Sequence, residues 1–321
     1  MSRALWAAVA ALTLAVIGLT AWLTPASGLI TRALLVALSL VAIGFVWRWS
    51  RLQRQIGAAP RWADLALGFV ANFFDTLGIG SFAPTTAVLK FTRRIPDEQI
   101  PGTLNVGHAL PTLTEALIFI AAVLVEPRLL VTMIAASTLG AWLGAGVVSR
   151  LPRRAVQVGM SAALAAAAAL FIAANLHWMP LGAAATGLGG WRWALAVGGN
   201  FLLGALMSLG IGLYAPCLIL LSLLGLSPRA AFPIMMGSCA FLMPIGGMRF
   251  VRTGRYSAPV AIGFALGGPP AVLLAAYAVK SMPLQWLRWL VAGVVLYAAA
   301  LMLHAARRGA RAQHTPAPPT P

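Results

Sequence analysis

Of the six acidic residues in the chain, Asp64, Asp97, Glu98 and Glu126 fall near loops or helix ends, whereas Asp75 and Glu115 fall inside apolar stretches. An ionisable side chain in such surroundings is costly to keep and points to function. Asp75 sits in NFFDTLGIG, three residues before Gly78. Glu115 shares an apolar stretch with Asn105, His108 and Thr112, at spacings of three, four and three, which would put all four on one helical face. Pro111 on that stretch would free a carbonyl one turn earlier. An unperturbed histidine titrates near pH ~6.5, which suits a proton carrier. Asp75, His108 and Glu115 are therefore read as proton-coupling residues. The structural alternative is that the acids are neutral or paired helix contacts and that His108 is a satisfied core residue.

A second candidate lies in the backbone. LGIGSFAPT at 77–85 is echoed by LGIGLYAPC at 209–217, an offset of 132 residues. Pro96 then matches Pro228, Pro101 matches Pro233 and, after a slip, Leu139-Gly140 matches Leu266-Gly267. Gly-Ile-Gly followed by Pro84 or Pro216 reads as a helix stop, a tight turn and a new start, with Pro at the first position of the next helix. Half-helices are expected to begin near Ser81 to Thr86 and near Leu213 to Cys217. Helix N-termini offer unpaired N–H groups and the positive end of the macrodipole, and so bind anions without Lys or Arg. The expected substrate-binding set is Gly78, Gly80, Ser81, Pro84, Thr85 and Thr86 in the first break, and Gly210, Gly212, Tyr214, Pro216 and Cys217 in the second. The alternative is that the breaks only shape the bundle. Asp75 corresponds to Met207, and no acid matches Glu115; the second unit instead carries Ser208, Cys217, Ser238 and Cys239. Titrating machinery is therefore expected in one unit alone.

The elements that must position these residues follow from composition. The chain has 321 residues, 60% hydrophobic and 9% charged, with a mean hydropathy of +0.89. A soluble domain carries about 25% charged residues. This composition excludes an ordinary soluble enzyme and a disordered chain and describes a polytopic helical membrane protein. Full spans are expected near 4–24, 29–47, 102–124, 129–149, 155–175, 231–248, 257–279 and 286–305, with broken stretches at 62–90 and 193–225. The first span is read as a retained helix, not a signal peptide, because of its length and the span that follows. The formal net charge of +17 would suggest nucleic acid in a soluble protein. Here the basic residues occupy short connections between apolar runs, so nucleic acid is excluded as a partner. Cys217 and Cys239 give no disulfide framework or zinc spacing. P-loop, Rossmann and HExxH motifs are absent from the sequence, and no cofactor or metal is expected. The GxxxG segments at Gly140 to Gly144 and Gly263 to Gly267 are read as helix packing.

Basic residues also arbitrate topology. With a cytoplasmic N-terminus and re-entrant broken stretches, 17 Lys and Arg lie inside and 6 outside; if both stretches span, the split is 13 and 10. The positive-inside rule favours the first. A hairpin plus three spans is an odd number of crossings, so the second unit must be inverted. The expected fold is an all-α integral membrane protein of two inverted repeats, each a Gly/Pro-broken re-entrant hairpin plus three transmembrane helices, preceded by two extra helices. The divisions are 1–61, two helices and a basic cytoplasmic loop; 62–176, repeat 1; 177–192, an external linker; 193–305, repeat 2; and 306–321, a disordered cytoplasmic tail. Inverted repeats with discontinuous helices are a plan of secondary transporters, with the site where the breaks meet.

At LGIGSFAPT and its echo LGIGLYAPC, the chain resembles the sulfite exporter TauE/SafE family of membrane transporters. That family carries a duplicated unit of about four apolar segments, each opening with a break of the form GxGGGxxxxP. Gly78, Gly80 and Pro84 match the first break; Gly210, Gly212 and Pro216 match the second. Gly237-Ser238 approximates the family's GTS-like helix start, and Asn105-Val106 matches it loosely. The resemblance spans roughly 62–305. The glycine triplet is replaced by Ser81-Phe82 and Leu213-Tyr214, as in a divergent branch. The resemblance implies a permease for sulfite, a sulfonate or another sulfur-containing or organic anion.

The expected function is thus a secondary carrier for a small anion, with proton coupling, in the inner membrane, both termini cytoplasmic. Its expected partners are that anion and membrane lipid; a homo-oligomer is left open. The alternatives are a non-transporting membrane scaffold or sensor, and a membrane-embedded enzyme, for which no nucleophile constellation exists.

Overall fold

The computed structural model describes residues 2–23, 28–53, 57–148, 185–207 and 212–281, with isolated positions between 158 and 176 and between 283 and 304. Its helices are α1 Ser2–Leu23, α2 Leu29–Leu52, α3 Trp62–Thr76, α4 Phe82–Phe91, α5 Ile100–Gly107, α6 Ala109–Ala122, α7 Pro127–Val148, α8 Gly190–Met207, α9 Tyr214–Leu223, α10 Pro228–Thr253 and α11 Ala258–Ser281. A 3-10 turn, Asp97–Gln99, leads into α5. Among the described residues the remaining regular feature is one isolated bridge, Ala185 to Leu226.

Among the described residues, five helical segments are long and apolar enough to cross a membrane: Arg3–Trp22, Leu29–Leu52, Asp97–Ala122, Pro228–Thr253 and Ala258–Ala278. They answer the expected spans at 4–24, 29–47, 102–124, 231–248 and 257–279. The span at 129–149 is α7. Those at 155–175 and 286–305 lie largely outside the described residues, as does the tail from 306. Trp22, Leu29, Trp62, Phe91 and Tyr277 stand exposed on the outer surface, where lipid rather than water would meet them.

The expected span at 102–124 stands as one crossing, Asp97–Ala122, but its helix is interrupted at His108 into α5 and α6. Pro111 has no amide hydrogen to give the carbonyl of Gly107, and its ring crowds that turn, so the ladder breaks there. The broken stretches at 62–90 and 193–225 are the helix pairs α3–α4 and α8–α9. Pro84 and Pro216 are each the third residue of their half-helices, not the first. The first-turn N–H groups have no acceptor within the helix, so proline is tolerated at the third position as well.

The helices pack by exchange. α3 lies along α11, and α8 lies along α7, so the opening helix of each unit rests on a helix of the other. α6 and α10 pair between them; α1 covers α6 and α11, and α2 covers α6 and α10. Glycines permit the closest approaches. A Cβ on Gly267 would overlap the Leu65 carbonyl, and one on Gly263 would stand 2.7 Å from Asp64 Cβ. Across the other pair, a Cβ on Gly140 would overlap the Phe201 carbonyl, and one on Gly204 that of Ser137. Gly140, Gly263 and Gly267 therefore serve packing, as expected of small-residue segments.

The first two helices are tied on by aromatics. Trp49 Nε1 donates to the Tyr256 hydroxyl at 2.9 Å, and that hydroxyl donates to Gln53 Oε1 at 2.9 Å. Trp6 packs edge-on against Trp49, with centroids 4.9 Å apart. Burial pushes the Tyr256 phenol up to about 12.

Candidate functional site

The first break is built by two left-handed glycines, Gly78 at φ 95° and Gly80 at φ 87°. Other residues rarely adopt that backbone, which is why glycine ends α3 here. The Gly78 amide donates to the Asp75 carbonyl at 2.7 Å, and the Ile79 amide to the Phe74 carbonyl at 3.1 Å, closing the last turn of α3. Asp75 then reaches across the break: its Oδ1 accepts the Ser81 amide at 2.8 Å. One carboxyl thus belongs to the end of α3 and caps α4, where the macrodipole favours an anion. Gly78 lies against Leu218 of α9 and Phe232 and Met235 of α10.

In the second break Gly210 lies outside the described residues. Gly212 is exposed, and α9 starts at Tyr214 with Pro216 and Cys217 buried. Tyr214 reaches away from its own half-helix: its hydroxyl donates to Glu115 Oε2 at 2.5 Å. Glu115 Oε1 lies 2.8 Å from the hydroxyl of Thr76, the last residue of α3. Glu115, fully buried on α6, therefore joins the residue before the first break to the residue after the second.

His108 forms a neighbouring node. Its Nδ1 lies 3.0 Å from Asn72 Oδ1, and its Nε2 lies 3.4 Å from Thr85 Oγ1. Asn72 Nδ2 donates to the Gly68 carbonyl at 2.6 Å, so Oδ1 is the atom that faces His108. His108 Nδ1 therefore carries a hydrogen, and Nε2 faces the Thr85 hydroxyl. The ring stacks on Phe264, with centroids 4.9 Å apart.

Of the expected stripe, His108, Thr112 and Glu115 are buried and Asn105 is half-buried. They meet different partners: Asn105 bonds the Pro101 carbonyl of its own helix, and Thr112 points to Met243 Sδ at 3.6 Å. The structure gathers Asp75, Ser81, Thr85, His108, Glu115 and Tyr214; Gly80, Pro84 and Thr86 are half-buried. At the position matching Asp75, Met207 Sδ meets Cys239 Sγ at 3.9 Å.

Two residues of the site were not singled out from sequence, Asn72 and Thr76. Their signal was present: they stand one turn apart, with Asp75 between them, on an apolar helix that ends at the break. A third buried polar contact, Asn200 Nδ2 to the Met133 carbonyl at 2.7 Å and to Ser238 Oγ at 3.1 Å, ties α8 to α7 and α10.

A family model described as Sulfite exporter TauE/SafE matches residues 1–171. No curated protein and no solved structure matches the chain. The matched region runs from α1 to beyond α7; it takes in the two helices ahead of the duplicated motif, the first break, Asp75, His108 and Glu115. More than half of the chain lies within the match, and so it belongs to the sulfite exporter TauE/SafE family of membrane transporters.

Proposed function

We propose that the chain is a secondary carrier for a small sulfur-containing or organic anion, such as sulfite or a sulfonate, in the inner membrane with both termini cytoplasmic. The observation that carries the reading is the convergence of the two breaks on Glu115, bonded to Thr76 on one side and Tyr214 on the other. Broken backbone inside a membrane is tolerated where it is buried in protein or lines a cavity, and carriers place their substrate there. The substrate anion is assigned to the half-helix starts, Ser81 to Thr86 and Leu213 to Cys217. At the first of these Asp75 already holds the Ser81 amide, which leaves Phe82 and Ala83 as amides with no acceptor within the helix. At the second, no carboxyl plays that part.

The two units, 62–176 and 193–305, are proposed as inverted repeats with re-entrant hairpins. The exchange of α3 onto α11 and of α8 onto α7 supports a two-fold relation, and the distribution of Lys and Arg supports inversion over simple repetition. Proton coupling is assigned to the set Asp75, His108 and Glu115. A cytosol-negative potential drives a monovalent anion outward by about 2.3 kcal/mol per 100 mV, so export needs no coupled ion and concentrative uptake does.

Counterflow in liposomes tests the carrier reading, with radiolabelled sulfite, a taurine-like sulfonate and a short carboxylate as probes. Exchange of at least one probe is expected, and replacing Gly80 or Pro84 with a bulky residue should abolish it while folded protein remains. A reconstituted chain that exchanges none of them refutes the carrier; unchanged kinetics in both variants removes the half-helix site.

A further inference from the structure

We propose that Glu115 is a proton-operated latch between the two breaks. It holds a proton while they are closed on one another, as here, and loss of that proton opens the centre between α3 and α9. The proposal rests on the carrier reading and names the seat of its coupling proton.

The hydrogen count carries the argument. The Thr76 hydroxyl has one hydrogen and two oxygen partners, the Asn72 carbonyl and Glu115 Oε1, each at 2.8 Å. A carbonyl only accepts. When Thr76 donates to Asn72, its contact with Glu115 is a hydrogen bond only if Glu115 donates, and that requires a proton on the carboxyl. Tyr214 donates to the other oxygen. A protonated Glu115 thus completes all three contacts. An ionised one leaves Thr76 with one contact unmade.

The charges around Glu115 point the same way. Asp75 and Thr76 face it from α3, Tyr214 from α9 and Cys239 from α10. Asp75 is a second acid, not a counter-ion. His108, on the turn that opens α6, is bonded to Asn72 and Thr85 and not to Glu115. α1, α2 and α11 also pack on α6 and add no charge at Glu115. The ion pairs among the described residues, Lys90–Asp97 and Arg94–Asp64, lie at helix ends and loops. An ionised, fully buried carboxylate without a cation is relieved by water entry or by separation of its neighbours. Deprotonation and opening are therefore one event. The second unit has no acid at this place, so the latch is single and carries one proton per cycle.

Cys217 and Cys239, the two cysteines of the chain, report the opening, since both are buried at the centre. Their rate of modification by a small methanethiosulfonate is measured on the full chain in nanodiscs from pH 5.5 to 9. Glu115→Gln imitates the protonated form, donating an amide N–H to Thr76 and accepting from Tyr214. The wild type should react at the variant's rate at pH 5.5 and at least tenfold faster at pH 9. Tyr214→Phe, which breaks the latch without touching the proton, should react faster at every pH. Equal rates for wild type and Glu115→Gln at all pH values overturn the proposal, provided both elute as the same folded species. Counterflow that persists alongside equal rates sinks the latch alone. Lost counterflow with the pH-dependent difference intact sinks the carrier reading alone.

Discussion

Asp75→Ala and Asp75→Asn should separate what the first break needs from Asp75, its oxygen or its charge. In the alanine variant the Ser81 amide, on a residue 3% exposed, loses its 2.8 Å acceptor. A buried donor left without a partner costs about 1–3 kcal/mol. Removing a negative group from the N-terminus of α4 adds about 0.3–1 kcal/mol. Against these stands the relief of no longer burying a carboxyl, which both variants share. The asparagine keeps an oxygen at the same reach and gives up only the charge. A net loss of about 2 kcal/mol is expected for alanine and under about 1 kcal/mol for asparagine. At about 2–4 °C per kcal/mol for a chain above 150 residues, alanine should unfold about 5 °C below wild type and asparagine within about 3 °C. Intrinsic tryptophan fluorescence during a temperature ramp reads both, on detergent-solubilised protein whose elution profile matches wild type. Equal losses in the two variants would refute the reasoning, because the break would then depend on the charge and not on the bond across it.

Three further outcomes follow from the packing and the polar contacts. Gly267→Ala places a methyl on the Leu65 carbonyl, whereas Gly80→Ala meets nothing within 4 Å and costs only its positive φ, about 1–2 kcal/mol; the yield of monodisperse protein should collapse for the first and survive for the second. Arg94 holds Asp64 through Nε at 3.0 Å and Nη2 at 2.7 Å, so Arg94→Lys should lose the two-point contact and about 1 kcal/mol in denaturant unfolding. Asp64 holds the Arg94 guanidinium above its ordinary value, so this contribution is fully present below that value and should stay flat from pH 5 to 9. Tyr256 is raised from 10.0 to about 12 by burial, so its share of stability is complete below pH 10 and is lost as pH rises toward 12; Tyr256→Phe should remove that alkaline step in a pH-jump unfolding series.

Much of the site was legible because it is local. Gly78 and Gly80 end α3 for a reason contained in two residues, the left-handed backbone, and Pro84 cannot stand far from the start of a helix. The half-helix starts, expected near Ser81 and Leu213, stand at Phe82 and Tyr214. Asp75 and Glu115 were conspicuous because an acid in an apolar run is costly wherever that run folds. The stripe from Asn105 to Glu115 was legible in its burial, since His108, Thr112 and Glu115 are all enclosed, but not in its partners, which lie on other helices and, for Asn105, on its own.

The sequence alone determined an all-helical, membrane-spanning chain, the positions of its breaks and the identity of its buried acids, since each depends on residues within a turn or two of one another. Tertiary structure alone decided which groups those acids meet. Glu115 joins Thr76, 39 residues away, to Tyr214, 99 residues away; His108 takes Asn72, 36 residues away, as its partner. No periodicity carries such pairings. They arise because the glycines of α11 let α3 approach to backbone distance and because α6 packs beside α10, which brings two distant breaks against one carboxyl. A hydrogen bond needs oxygens within about 3 Å, and only the packing of whole helices fixes distances on that scale.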